Sequence, residues 1–167
     1  MPSSKSEQKK GQRMRIERRY TKEGQSPYAD IAFRLTESEI RNPDGSIVFH
    51  ADNVEVPEQW SQVASDVLAQ KYFRKAGVPA RLKKVEEETV PSWLWRSVAD
   101  EEALDALPEN ERLTGETSCK QVFDRLAGTW TYWGWKAGYF TTEADARAEL
   151  SKARPSRSRA SRPSTRI

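Results

Sequence analysis

The sequence predicts a small α+β fold, an N-terminal β-hairpin followed by three amphipathic helices. Three observations predict it. The run IRNPDGSIVFH places a proline–glycine turn between two half-apolar stretches. Two later runs, VPEQWSQVASDVLAQKYFRKAGVP and SCKQVFDRLAGTWTYWGW, repeat apolar residues at helical spacing. A third, TTEADARA, opens with a capping hydroxyl followed by early acids, the usual start of a helix.

The hairpin is expected over residues 33–50. In its turn, Asn42-Pro43-Asp44-Gly45, Pro43 presets φ for the first central position, and Gly45 can take the left-handed conformation that a bulged hairpin needs. Ile47 and Phe49 alternate with Val48 and His50 on the second strand. The first helix should then open at Pro57, a proline tolerated in a first turn, with Glu58 favouring the positive end of the dipole. Trp60, Val63, Ala64, Val67, Leu68 and Tyr72 fall on one helical face, and Gly77 and Pro79 end the run. Residues 80–115 are less regular. They hold the charge run KKVEEE, Trp93, Trp95 and a short acidic helix ending near Pro108, and the charge runs read as solvated faces.

The second helix begins at Ser118, which forms an S-x-x-Q capping box with Gln121. Its expected inner stripe is Val122, Phe123, Leu126, Ala127, Trp130 and Trp133. It should end between Gly134 and Gly138, with Tyr139 and Phe140 folding back on it. The segment TWTYWGWKAGYF, residues 129–140, therefore reads as a packing element. Trp130 and Trp133 face Trp60, Val63 or Val67, while Tyr132 and Trp135 face outward as an interface. The third helix opens at Thr141 or Thr142 and loses its apolar face after Leu150.

Charge divides the chain. Residues 1–19 carry seven Lys/Arg and two Glu; residues 151–167 carry six Lys/Arg and no acid. The remainder, 20–150, holds 15 basic and 23 acidic residues. Three regions follow: a disordered basic arm at 1–19, a folded domain at 20–150, and a disordered Ser/Arg-rich tail at 151–167. A folded part that is acidic disfavours nucleic acid as a partner. No run approaches the roughly 20 apolar residues of a membrane span, and the basic N-terminus lacks the apolar core of a secretory signal. The expected location is the cytoplasm. One cysteine, Cys119, and one histidine, His50, exclude a disulfide framework and suggest no metal site.

The segments SPYADIAFRLTESEIRNPDGSIVFHADNVEVPEQWSQVASDVLAQKYFRKAGVP and VFDRLAGTWTYWGWKAGYFTTEADARA, in this order, resemble the N-terminal region of adenosylcobalamin-dependent, class II ribonucleotide reductases. The resemblance covers roughly residues 20–147. It implies a vitamin B12-dependent ribonucleoside-diphosphate reductase that makes deoxyribonucleotides by thiyl-radical chemistry. Such an enzyme has a ten-stranded α/β barrel beyond this region, a reducing cysteine pair and a thioredoxin-like reductant. That chemistry needs at least three thiols, and Cys119 matches none of the family's catalytic cysteines. The sequence departs from the family near Glu149, as a truncation or frameshift would make it. The expectation is an inactive piece with no catalytic, cofactor-binding or metal-binding residues of its own. Its packing and interface residues are Trp60, Trp130, Tyr132, Trp133 and Trp135, and its chief partner is the missing barrel. The alternative is a free-standing binding module or adaptor, acting on nucleic acid through the Arg-rich tail or docking on an intact reductase.

Overall fold

A computed structural model describes residues 13–19 and 21–152. Residues 1–12 and 153–167, which contain most of the expected arm and tail, lie outside the described residues. Residues 13–19 of the expected arm are among the described residues. Met14 bridges in parallel to Phe140, and the Ile16 amide donates to Asp145 Oδ1 at 2.7 Å.

The architecture is α+β, as expected. Strand β1 (Phe33–Arg41) pairs antiparallel with β2 (Ile47–Pro57). The turn closes through Gly45 N to Asn42 O at 2.9 Å and Asn42 N to Ser46 O at 2.8 Å, with Gly45 at φ 86. Asp44 accepts from the Ser46 amide and hydroxyl, which lowers its carboxyl below the ordinary range. The hairpin is longer than 33–50 because Val54 and Val56 continue the inner face of β2 into the core.

That extension corrects the start of the first helix. Pro57 ends a strand, opposite Phe33, where its missing N–H leaves no gap in an interior ladder. Helix α1 (Gln62–Lys71) starts behind Ser61, whose hydroxyl accepts from Ala64 N at 3.3 Å. Its face is also corrected. Ser65, Leu68, Ala69 and the following Phe73 are buried, whereas Val63 is 72% exposed and Val67 and Tyr72 are also outside. Small side chains at 65 and 69 let the helix lie close against the hairpin, and the bulkier valines are left on the far side.

Two short ladders follow. Strand β3 (Val78–Pro79) pairs with β6 (Leu113–Thr114), and β4 (Leu82–Lys84) pairs with β5 (Ser97–Ala99). Between β5 and β6 lies the short acidic helix α2 (Glu101–Asp105), capped by Asp100. Helix α3 (Cys119–Lys136) carries the predicted Ser118/Gln121 capping box and ends as expected, with Ala137 as its C-cap and Gly138 at φ 70. Helix α4 (Glu143–Lys152) is capped by Thr142 and Asp145, which exchange amide and side-chain hydrogen bonds. The core is Val54, Val56, Leu68, Ala69, Phe73, Cys119 and Val122. It joins the hairpin, α1 and the start of α3.

Two buried or half-buried carboxylates hold this junction. Glu55 pairs with Lys120 Nζ at 2.7 Å and accepts a short hydrogen bond from the Ser118 hydroxyl; both hold its carboxyl below the usual range. Glu116 is buried. Burial raises its pKa, but Arg125, paired at 2.9 Å, and the Arg74 amide at 2.9 Å outweigh that and leave it lowered.

Candidate functional site

The aromatic run on α3 decides where the molecule can meet something else. The buried positions of α3 are Cys119, Val122, Ala127, Thr131 and Gly134, all of modest size. This small-residue face lets α4 and the chain after α3 approach closely. Gly134 shows how closely: a Cβ placed there would stand 2.8 Å from Phe140 Cε2. Phe140 is buried and folds back on the helix, as the sequence suggested, while Tyr139 points outward.

The large aromatics flank this face, and their assignment from sequence is reversed. Tyr132 and Trp135 are half-buried against the loop after β4. The Tyr132 hydroxyl donates to Glu87 Oε2 at 2.8 Å, and Trp135 Nε1 donates to Thr89 O at 2.8 Å. The bond to Tyr132, with Arg96 and Lys136 nearby, lowers the Glu87 carboxyl, and the same bond raises the tyrosine. Glu87 is thus the exception in a charge run whose other members are mostly solvated. In the same loop Trp95 Nε1 donates to Val90 O at 2.9 Å, and Trp93 Nε1 donates to Glu143 Oε1 at 2.5 Å under the guanidinium of Arg147.

Trp130 and Trp133, expected inside, are 55% and 62% exposed. They do not meet Trp60, which instead packs edge-on against Phe123 with centroids 6.2 Å apart. Periodicity identified an apolar stripe but took size as the mark of burial; close helix packing selects the small residues. Exposed Met14 and Tyr139 lie with Trp130 at one apolar surface, and Trp133 follows three positions on along the helix. A groove of about 440 Å³ opens into it, lined by Met14, Ile16, Trp130, Tyr139 and Phe140 with Arg15 and Lys152 at its margin. Patches of this kind mark interaction surfaces.

The one thiol is inert. Cys119 is fully buried, and burial together with Glu55 pushes its thiol to about 12, so it stays protonated. His50 is exposed on the hairpin, beside Glu37, Glu39 and Asp52. Among the described residues, no helix is long and apolar enough to cross a membrane.

The family described as class II vitamin B12-dependent ribonucleotide reductase matches residues 34–152. A vitamin B12-dependent ribonucleotide reductase of Bradyrhizobium diazoefficiens is 78% identical over 135 residues, which are 81% of this chain and 11% of that protein. The enzyme of the same name from Agrobacterium fabrum is 70% identical over 81% of this chain and 11% of its own length. That of Streptomyces coelicolor is 31% identical over 83% and 11%. The chain thus spans about a tenth of the length of these relatives. A family match across residues 34–152, with identities of this order over four-fifths of the chain, shows that it belongs to the class II vitamin B12-dependent ribonucleotide reductases, as their N-terminal region.

Proposed function

We propose that this chain is the N-terminal, non-catalytic part of a vitamin B12-dependent ribonucleoside-diphosphate reductase, and that the surface of Met14, Trp130, Trp133 and Tyr139 seats the downstream part of that enzyme. One observation carries the reading. The family match runs through α4 to residue 152, beside an exposed aromatic surface, in relatives about nine-tenths of whose length lies outside the match. Four large apolar side chains in water are unfavourable for a free domain and natural at a face that the rest of a protein covers.

The chemistry points the same way. Reduction through a thiyl radical takes one thiol for the radical and two that close to a disulfide as the ribose is reduced. This chain has Cys119 alone, buried and protonated. A corrin with its nucleotide loop is several times larger than the drug-sized ligands that grooves of roughly 300–1,000 Å³ enclose. The described groove is therefore too small for it. We place adenosylcobalamin, the reducing cysteine pair, the radical cysteine and the docking of a thioredoxin-like reductant on the remaining length of the reductase. The assembled enzyme acts in the cytoplasm.

Two measurements test this. The purified chain, given adenosylcobalamin, ribonucleoside diphosphates and a dithiol, should show no reduction; cobalamin-dependent turnover by this chain alone refutes the non-catalytic role. The chain should also bind the reductase of the 78%-identical relative from which the matching residues have been removed, and Trp133→Ser should weaken that binding at least tenfold. Equal binding by Trp133→Ser refutes the docking face.

A further inference from the structure

The solvent side of the hairpin carries a cluster that the reductase assignment does not use. Alternation along β1 turns Glu37 and Glu39 to one face, and the cross-strand pairing of Glu39 with His50 brings the imidazole to the same face. A register shift between Thr36 and Ser38 sets Asp52 and Asn53 against Glu37, with Asn53 at φ 55. Asp52 thereby stands beside the ring, its Oδ1 3.0 Å from His50 Nε2. On the other side of the ring, His50 Nδ1 lies 3.5 Å from Glu37 Oε1 and 3.5 Å from Glu39 Oε2.

Two independent features single this cluster out. The first is spacing. Ligand atoms about 2.0–2.1 Å from a tetrahedral ion stand roughly 3.3–3.4 Å from one another. The Nδ1–oxygen separations are close to that, and longer than an N–H···O hydrogen bond of about 2.7–3.2 Å. The second is charge. Carboxylate oxygens of Glu37, Glu39 and Asp52 converge on the two nitrogens of one imidazole. Three anionic groups drawn together around one nitrogen donor favour a cation among them. Arg41 engages both oxygens of Glu39, at 2.5 and 3.1 Å, and balances one of the three negative charges. The other two remain.

We propose that Glu37, Glu39 and His50 bind one divalent transition-metal ion of the zinc class, with Asp52 orienting the imidazole. Nitrogen and carboxylate donors together suit such an ion, while Mg²⁺ demands an octahedron of oxygens. A carboxylate on the far nitrogen is the usual outer partner of a metal-bound histidine. Three protein ligands leave a fourth position to water. The ion ties β1 to β2 across the Glu39–His50 pair and stiffens the hairpin beside its bulge. The Cys119 thiol does not compete, being buried and protonated.

His50 is the only histidine of the chain, so one set of ring signals reports on the site. The metal-free full chain is titrated with Zn²⁺, and with Mg²⁺ as a control, while the ring is followed by NMR and affinity by calorimetry. One equivalent of Zn²⁺ should shift the His50 signals, and Mg²⁺ should not. His50→Gln and Glu37→Gln should each weaken Zn²⁺ binding by more than tenfold, and Asp52→Asn by about tenfold. All three positions are exposed, so the variants should keep the wild-type far-UV spectrum. Ring signals that ignore Zn²⁺, or an unchanged affinity in His50→Gln, overturn the proposal.

Discussion

Replacing Gly134 with alanine should destabilise the protein, while the same change at Gly128 in the same helix should stabilise it. Glycine in a helix interior is less favourable than alanine by about 0.8–1.0 kcal/mol, so propensity favours both changes equally. The surroundings separate them. A Cβ at Gly128 meets nothing within 4 Å; one at Gly134 stands 2.8 Å from Phe140 Cε2 and 3.0 Å from its Cζ. The ring cannot simply swing away. Phe140 is buried, and its flanks are tied by Tyr139 N to Gly134 O at 2.9 Å and Thr141 N to Met14 O at 3.1 Å. Overpacking a well-packed site costs about 1–3 kcal/mol. Set against the gain in propensity, Gly134→Ala should lose up to about 2 kcal/mol and Gly128→Ala should gain up to about 1. For a chain of this length each kcal/mol moves the melting temperature by roughly 2–4 °C. The two melts should therefore move apart, in opposite directions. In a Phe140→Leu background the Gly134→Ala penalty should shrink, because the two side chains share one space. If Gly134→Ala stabilises as much as Gly128→Ala, or if its penalty is undiminished in Phe140→Leu, the close packing of Phe140 on α3 is refuted.

Other outcomes follow from single contacts. Glu116→Gln leaves Arg125 without its buried partner and should cost on the order of 2–3 kcal/mol by urea unfolding. Because the Glu116 carboxyl is held below its ordinary value of 4.5, its contribution is complete above that pH and is lost as pH falls through the lower folded value. Glu116→Gln should therefore flatten the acid limb of the stability curve, and an unaltered limb would rule out the pair as its source. Cys119 should resist alkylation at pH 8 in the native protein and react only on unfolding; rapid native labelling would show that the thiol is reachable. Thr131 is buried with no hydrogen-bond partner for its hydroxyl among the described residues, so Thr131→Val should be neutral or stabilising by about 1 kcal/mol in a thermal melt.

Features set by local chemistry were legible in the sequence. The NPDG turn, the Ser118/Gln121 capping box, the end of α3 at Gly138 and the opening of α4 all depend on residues within a few positions of one another. They were found where expected. The orientation of the helices was not legible. In α1 the valines at 63 and 67 looked like the inner stripe, yet Ser65 and Ala69 face the hairpin, because proximity to a twisted strand pair rewards small side chains. Pro57 was misread for a related reason. A proline after Val54–Val56 suits either the end of a strand or the start of a helix, and only the pairing with Phe33 decides between them. The short ladders β3–β6 and β4–β5 have two or three pairs each, Val78 with Thr114 and Pro79 with Leu113 in one and Leu82 to Lys84 with Ala99 to Ser97 in the other, too few to leave a period. Of the candidate sites, the aromatic run was visible, but its polarity was not. The hairpin cluster was invisible because His50 has no histidine neighbour in sequence, and Glu37 and Glu39 come from across the ladder.

The two flanks of α3 differ in how their aromatics are completed. On one, Tyr132 and Trp135 bring a hydroxyl and an indole N–H into contact with Glu87 and Thr89, so both their apolar bodies and their polar tips have partners. On the other, Trp130 and Trp133 have no hydrogen-bond partner among the described residues, and more than half of each faces water. A domain selected to stand alone has a simple remedy, since polar residues at 130 and 133 would solvate the flank without touching the small-residue face that packs on α4. Two tryptophans there agree with the proposed seat for the rest of the reductase, and Met14 and Tyr139 are exposed as well. It follows that Trp133→Ser should leave stability within about 0.5 kcal/mol of wild type, as surface substitutions usually do. Trp135→Ser should lose several times more, since it strips packing and the bond to Thr89 together. Equal losses from the two would mean that the outer tryptophans belong to the closed core, and that the flank is not a seat for the rest of the reductase.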